Sequence, residues 1–122
     1  MSNIQSKVVI ITGASSGIGA AVAKDFATKG AKLVLAARRE ERLIKLQNEI
    51  NRNGGQAIYK VIDVTSHIQM EELAEVALKG YGRIDVLINN AGVMPQSKLY
   101  KKKIDEWDRM IDVNMKGVLY GI

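Results

Sequence analysis

Val8-Val9-Ile10-Ile11-Thr12-Gly13-Ala14-Ser15-Ser16-Gly17-Ile18-Gly19 is the stretch on which the fold turns. Lys7–Thr12 is a short, β-branched run with almost no polar interruption, which is how a strand covered on both faces reads. Three glycines then follow within seven residues, at 13, 17 and 19. Beyond them Ile18, Val22 and Phe26 repeat at helical spacing, and Gly30 supplies a stop. The stretch therefore predicts a strand, a glycine-rich turn and a helix, in that order.

The same unit recurs outward along the chain. Lys32–Ala37, Ala57–Asp63 and Ile84–Asn89 are further strand-like runs. Leu43, Leu46 and Ile50 form a second helical stripe, ended by Asn53-Gly54-Gly55. Ser66 and Gln69 make a capping box ahead of Met70, Leu73 and Ala77, and Gly80 and Gly82 close that helix. A further helix is expected from Ile104, with Trp107, Met110, Ile111 and Val118 on one stripe. Right-handed crossovers turn such a chain into a doubly wound parallel α/β sheet of about four strands, with helices on both faces. No linker, repeat or low-complexity tract divides residues 1–122, so a single domain is expected. The one proline, Pro95, falls in the loop after the fourth strand.

Composition narrows the function classes. The chain has 122 residues, 47% apolar and 25% charged, with a net charge of +5. No apolar run reaches the ~18 residues of a membrane span, and "MSNIQSK" at the N-terminus has no signal-type apolar region. There is no cysteine, hence no disulfide and no thiolate metal site. His67, the single histidine, lacks ligand-type neighbours at metal spacing and reads as an exposed first-turn residue, so no metal is expected. Cytoplasm is the default compartment. The surplus of positive charge fits an anionic ligand, a nucleic acid or a membrane surface. Lys101-Lys102-Lys103 reads as a solvated loop face, because no nucleic-acid motif accompanies it.

As a bare pattern the glycine loop reads equally as a structural turn, but its place between strand and helix suits a phosphate-bearing dinucleotide. Gly13 can turn the chain sharply. Gly17 lets a pyrophosphate approach the backbone, and Gly19 lets the helix pack closely. The N–H groups of the first helical turn face the phosphates, helped by the helix dipole. Ser15 and Ser16 can cap the helix or donate to phosphate oxygens. The spacing is G-x-x-x-G-x-G, and no Gly-Lys-Ser/Thr follows, which argues against a nucleoside triphosphatase loop.

Further features align with the loop. Asp63-Val64 closes the third strand, Asn89-Asn90-Ala91-Gly92 closes the fourth, and Asn114 stands on the helix expected next. With Thr12-Gly13-x-x-x-Gly17-x-Gly19, these make the chain resemble the short-chain dehydrogenase/reductase family, over the first half of a typical member. The resemblance implies a Rossmann-type fold and an NAD(P)-dependent oxidoreductase acting on an alcohol or carbonyl. It implies cofactor binding by Gly13, Ser15, Ser16, Gly17, Ile18, Gly19, Asp63, Val64, Asn90, Ala91 and Gly92. In the family the match to Asp63 contacts the adenine amino group and the match to Val64 lines that pocket. The match to Asn90 holds the cofactor beside the glycine loop. By the residues alone, Asp63 reads first as a cap for the turn before Ser66. The family's match to Asn114 positions a water in a proton relay, which makes Asn114 the catalytic candidate; a satisfied structural amide is compatible with that role. The resemblance also implies a homo-oligomer at full length.

The end of the second strand bears on which cofactor is used. NAD-preferring relatives usually carry an acidic residue where Ala37 stands, and here Ala37 is followed by Arg38 and Arg39. A guanidinium fork suits a 2′-phosphate, so NADP(H) is expected over NAD(H). The competing reading has both arginines opening the next helix, paired with Glu40, Glu41 or solvent. The family's chemistry also uses a Tyr-x-x-x-Lys pair with an upstream serine. Residues four beyond Tyr59, Tyr81 and Tyr100 are Asp63, Asp85 and Ile104, and Tyr120 lies two from the end, so these 122 residues hold no such pair. The expectation is a cofactor-binding half, truncated before that segment and inactive by itself. A non-catalytic nucleotide-binding or regulatory fragment is the alternative. A third reading, another Rossmann-type enzyme such as a methyltransferase, would want an acidic residue at position 37.

Overall fold

The computed structural model describes residues 4–63, 66–90 and, as the course of the backbone, 111–114. Four strands and three helices alternate in the expected order: β1 (Val8–Thr12), α1 (Gly17–Thr28), β2 (Lys32–Ala37), α2 (Glu40–Arg52), β3 (Gln56–Val61), α3 (His67–Tyr81) and β4 (Val86–Asn89). A fifth strand, β5 (Ile111–Asn114), follows. All neighbouring pairs are parallel, in the order β3-β2-β1-β4-β5.

The apolar runs follow from burial on both faces. Alternate residues of a strand point to opposite sides. Val8 and Ile10 pack with Met70, Leu73 and Ala77 of α3. Val9 and Ile11 pack with Ala23 of α1 and with Leu43, Leu46 and Ile50 of α2. Each of these four β1 residues is fully buried. A solvated face would have required polar residues at every second position.

The chain first winds outward from β1 through β2 to β3, with α1 and α2 on one face. The connection through α3 then returns along the other face and sets β4 against the opposite side of β1. Strand order reverses between β1 and β4, and such a reversal leaves a crevice outside the carboxyl ends of the strands.

One expectation is corrected. Ile111–Asn114 is a strand paired with β4, with Asn89 in register with Asn114, and not part of a helix running from Ile104. Over these four residues apolar and polar side chains alternate, Ile-Asp-Val-Asn, and two are β-branched, so a strand pattern competes with the helical spacing. Pairing there also satisfies the backbone groups along the outer edge of β4. The four expected strands, β1 to β4, are all present, and β5 adds a fifth at the edge of the sheet. The rest of the expected helix, including Trp107, Met110 and Val118, lies outside the described residues, as do Pro95 and the lysine run at 101–103. Among the described residues, no helix is long and apolar enough to cross a membrane.

Candidate functional site

The site is built where β1 and β4 end side by side. Gly13 takes a positive φ of 64° immediately after β1, a conformation that side chains with a Cβ avoid. The Ala14 N–H then donates to the Ala36 carbonyl at 3.0 Å, fixing the loop to β2. Ser16 is the N-cap of α1, and its Oγ accepts from the Gly19 N–H at 3.1 Å. The hydroxyl proton of Ser16 goes to the Gly13 carbonyl at 3.0 Å. Ser16 therefore takes the capping role of the two considered for it.

Gly17 and Gly19 meet different surroundings. A Cβ on Gly17 would meet nothing within 4 Å. One on Gly19 would collide with the Gly13 carbonyl and stand 2.8 Å from Asn90 Nδ2. The close approach at Gly19 is thus to the loop and to Asn90, at the rim of the sheet. The N–H groups of Gly17 and Ile18 open the helix with no intrahelical acceptor, as helix geometry dictates. They contribute the positive end of the α1 dipole.

Asn90 connects the two strand ends. Its Nδ2 donates to the Gly13 carbonyl at 3.2 Å and to Ser16 Oγ at 2.9 Å. Its backbone N–H donates to Thr12 Oγ1 at 3.1 Å. Thr12 Oγ1 also lies 3.2 Å from Asn89 Oδ1 and 3.4 Å from the Ile88 carbonyl, either of which can take its proton. Thr12, Asn89 and Asn90 are all buried. Asn90 Oδ1 is buried too, and no donor among the described residues reaches it. A buried amide oxygen without a partner is uncommon and marks a place for a further donor. Thr12 and Asn89 were not among the residues expected at the site. The available signal was a threonine closing an apolar strand and a doubled asparagine closing another.

The ends of β2 and β3 form the other flank. Ala37 is the last residue of β2, and its carbonyl accepts the Ile62 N–H at 3.0 Å. Arg38 and Arg39 follow it, both exposed, with Arg39 as the N-cap of α2. Neither pairs with Glu40 or Glu41. Glu40 instead accepts the Tyr59 hydroxyl at 2.9 Å. That bond, followed by desolvation and the charge of Glu40, holds the Tyr59 pKa above its ordinary value.

Asp63 lies just beyond β3, and its carbonyl accepts the Ser66 N–H at 3.0 Å. The Asp63 N–H donates to Gln69 Oε1 at 2.6 Å, while Ser66 Oγ accepts from the Gln69 N–H at 3.2 Å. Gln69 thus reaches back past Ser66 to Asp63. Gly13, Ser16, Gly19 and Asn90 are brought into direct contact; Arg38, Arg39 and Asp63 stand at the neighbouring strand ends. Val64, Ala91 and Gly92 lie outside the described residues. Asn114 ends β5, in register with Asn89. Among the described residues no cluster of His, Asp and Glu could hold a metal.

The profile described as short chain dehydrogenase matches residues 7–122. The chain belongs to this family. An uncharacterized oxidoreductase of Listeria monocytogenes is 55% identical over 119 residues, covering 98% of this chain and 48% of the relative. The short-chain dehydrogenase fold is shared with a Burkholderia phymatum short-chain dehydrogenase/reductase solved with NAD, at TM-score 0.71 and 40% identity, over 74% of this chain and 32% of that one. A metagenomic short-chain oxidoreductase solved with NADP superposes at TM-score 0.70 and 41% identity, over 76% of this chain and 42% of that one. This short-chain dehydrogenase chain spans about half the length of the curated relatives it matches.

Proposed function

We propose that residues 1–122 are the dinucleotide-binding domain of a cytoplasmic, NADP(H)-dependent oxidoreductase that moves hydride between the nicotinamide and an alcohol or carbonyl substrate. The observation that carries the reading is the junction of Gly13, Ser16, Gly19 and Asn90 at the reversal of strand order. The residues present fit the cofactor. Gly17 leaves open space beside the helix start, so the Gly17 and Ile18 N–H groups can donate to a pyrophosphate. Asn90 Oδ1, buried and without a donor among the described residues, can accept from a ribose hydroxyl. Asp63 and Val64 are the residues proposed for the adenine, and Ala91 and Gly92, which follow Asn90 in the sequence, are proposed to bind the cofactor with it. Asn114 is the proposed catalytic contributor, and a homo-oligomer is the proposed assembly at full length.

The cofactor supplies the hydride; the chain's residues bind and orient it. Arg38 supports NADP(H) because it is exposed at the β2 end and has no ion-pair partner among the described residues. Ala37 brings no carboxylate to repel a 2′-phosphate. A hydrogen bond to a charged group contributes about 1.5–3 kcal/mol, roughly 10- to 150-fold in affinity. Exposure places the preference at the lower end, and salt reduces it. The test is the pair of dissociation constants for NADPH and NADH at one salt concentration. The parent is expected to prefer NADPH, and Ala37→Asp with Arg38→Ala to reverse the order. Equal affinities in the parent, or an unchanged preference in the double variant, would remove the basis for NADP(H).

A further inference from the structure

We propose that Asn53-Gly54, in the turn from α2 to β3, is a modification site at which the asparagine deamidates spontaneously, at a rate set by local opening of that turn. Of the chain's asparagines only Asn53 precedes a glycine. Residues 51–54 are all exposed. Asn53 is the C-cap of α2, and its side-chain amide makes no hydrogen bond among the described residues. Gly54 follows with a φ of 90°, and a Cβ there would meet nothing within 4 Å. The Gly54 nitrogen therefore has no side chain of its own to shield it, and open space lies beside it.

The reaction needs only water as co-reactant. The Gly54 N–H loses its proton and the nitrogen attacks Cγ of Asn53. A C–N bond forms, the Cγ–Nδ2 bond breaks, and ammonia leaves a cyclic succinimide behind. Water then opens the ring. Addition at Cγ gives aspartate, and addition at the main-chain carbonyl gives isoaspartate; nothing is oxidised or reduced. The folded turn resists the first step. The Gly54 N–H donates to the Asn51 carbonyl at 3.2 Å, and the Gly55 N–H to the Ile50 carbonyl at 3.0 Å. The Asn51 side chain clamps the start of β3: its Nδ2 donates to the Ala57 carbonyl at 3.2 Å, and its Oδ1 accepts the Ala57 N–H at 2.9 Å. Exposed helix ends open locally more readily than core elements, and these bonds set how often this one does. The turn lies where β3 begins, with Lys32 of β2 in register with Gln56, at the far end of the sheet from Gly13 and Asn90. Conversion puts a carboxylate beside the carbonyl end of α2, where negative charge is unfavourable. Isoaspartate also adds a carbon to the main chain next to β3, which ends the sheet.

The 122-residue chain is aged in mildly acidic and mildly alkaline buffer, folded and in urea. Peptide mass mapping follows each amide, and enzymatic methylation detects isoaspartate. Asn53 is expected to lose its amide before any other asparagine. Conversion is expected to be faster in alkali, because the nitrogen must deprotonate, and faster in urea than in the folded chain. Asn51→Ala, checked for folding by circular dichroism, is expected to convert at least about fivefold faster than the parent, the factor that one lost hydrogen bond supplies. Asn53→Gln is expected to age without the parent's acidic shift on ion exchange, since its longer side chain must close a larger ring. Earlier conversion of another asparagine overturns the site, as does an Asn53 that keeps its amide in the folded chain while the chain in urea converts. Equal rates in the folded and urea-unfolded chain overturn the control by turn opening, a comparison that holds even if Asn51→Ala does not fold. A folded Asn51→Ala that converts no faster than the parent overturns that control as well.

Discussion

Thr12 concentrates on one hydroxyl the contacts that join β1 to β4: it accepts the Asn90 N–H and stands within reach of Asn89 Oδ1 and the Ile88 carbonyl. Thr12→Val keeps the shape but leaves the Asn90 N–H buried without its acceptor. An unsatisfied buried group costs about 1–3 kcal/mol, so the variant should be less stable by that amount and unfold at lower urea. A midpoint equal to the parent's would show that the hydroxyl is dispensable. This hub was hidden in the sequence, since its partners lie 76 to 78 residues away. Gly13 and Gly19 were legible as a pattern, because each answers a local steric demand. What the pattern could not separate was their burden. Gly19 is packed against backbone, whereas Gly17 faces open space.

At the scale of elements, α3 is fastened at both ends. Ser66 caps its start, and near its end the Tyr81 hydroxyl donates to the Leu33 carbonyl of β2 at 3.2 Å. Burial raises the Tyr81 pKa above the ordinary 10.0. The folded chain therefore holds this proton more tightly than the unfolded chain does. The contribution is fully present below pH 10 and is lost as pH rises through the folded value. Tyr81→Phe should flatten the fall in stability above pH 10, leaving the part that belongs to half-buried Tyr59, whose pKa is raised in the same direction. Denaturant midpoints at neutral and alkaline pH check this, and an undiminished alkaline slope in the variant would contradict it. The first four strands and three helices were legible because their apolar periods agree with their caps and glycines. β5 was not, because four residues of alternating character also fit a helical stripe, and the open edge of β4 decided between them.

For the molecule as a whole, the succession of β-α units made the winding and the crevice legible before any contact was known. The choice of cofactor was less so, because Arg38 and Arg39 sit on an exposed helix start where solvent competes with a phosphate. The proposed division of labour also predicts that these 122 residues bind cofactor without using it. Substrate-dependent oxidation of NADPH, followed over a panel of ketones and aldehydes, should stay at background. Turnover on the order of 1 s⁻¹ would mean that a proton donor other than a Tyr-x-x-x-Lys pair operates here.

The central claim is that the glycine loop and Asn90 hold a dinucleotide, and Gly17 tests it with little structural interference. A Cβ at this position meets no protein atom within 4 Å, and alanine in place of glycine favours the helix by up to about 1 kcal/mol. Gly17→Ala should therefore fold at least as stably as the parent, while its methyl group occupies the space needed by the pyrophosphate. The measurement is calorimetric titration of NADPH into both chains at low salt. One equivalent bound by the parent, with affinity at least about tenfold weaker in a fully folded Gly17→Ala (a difference of ~1.4 kcal/mol), is the predicted result. No binding by the parent, or equal binding by the two, would contradict the account.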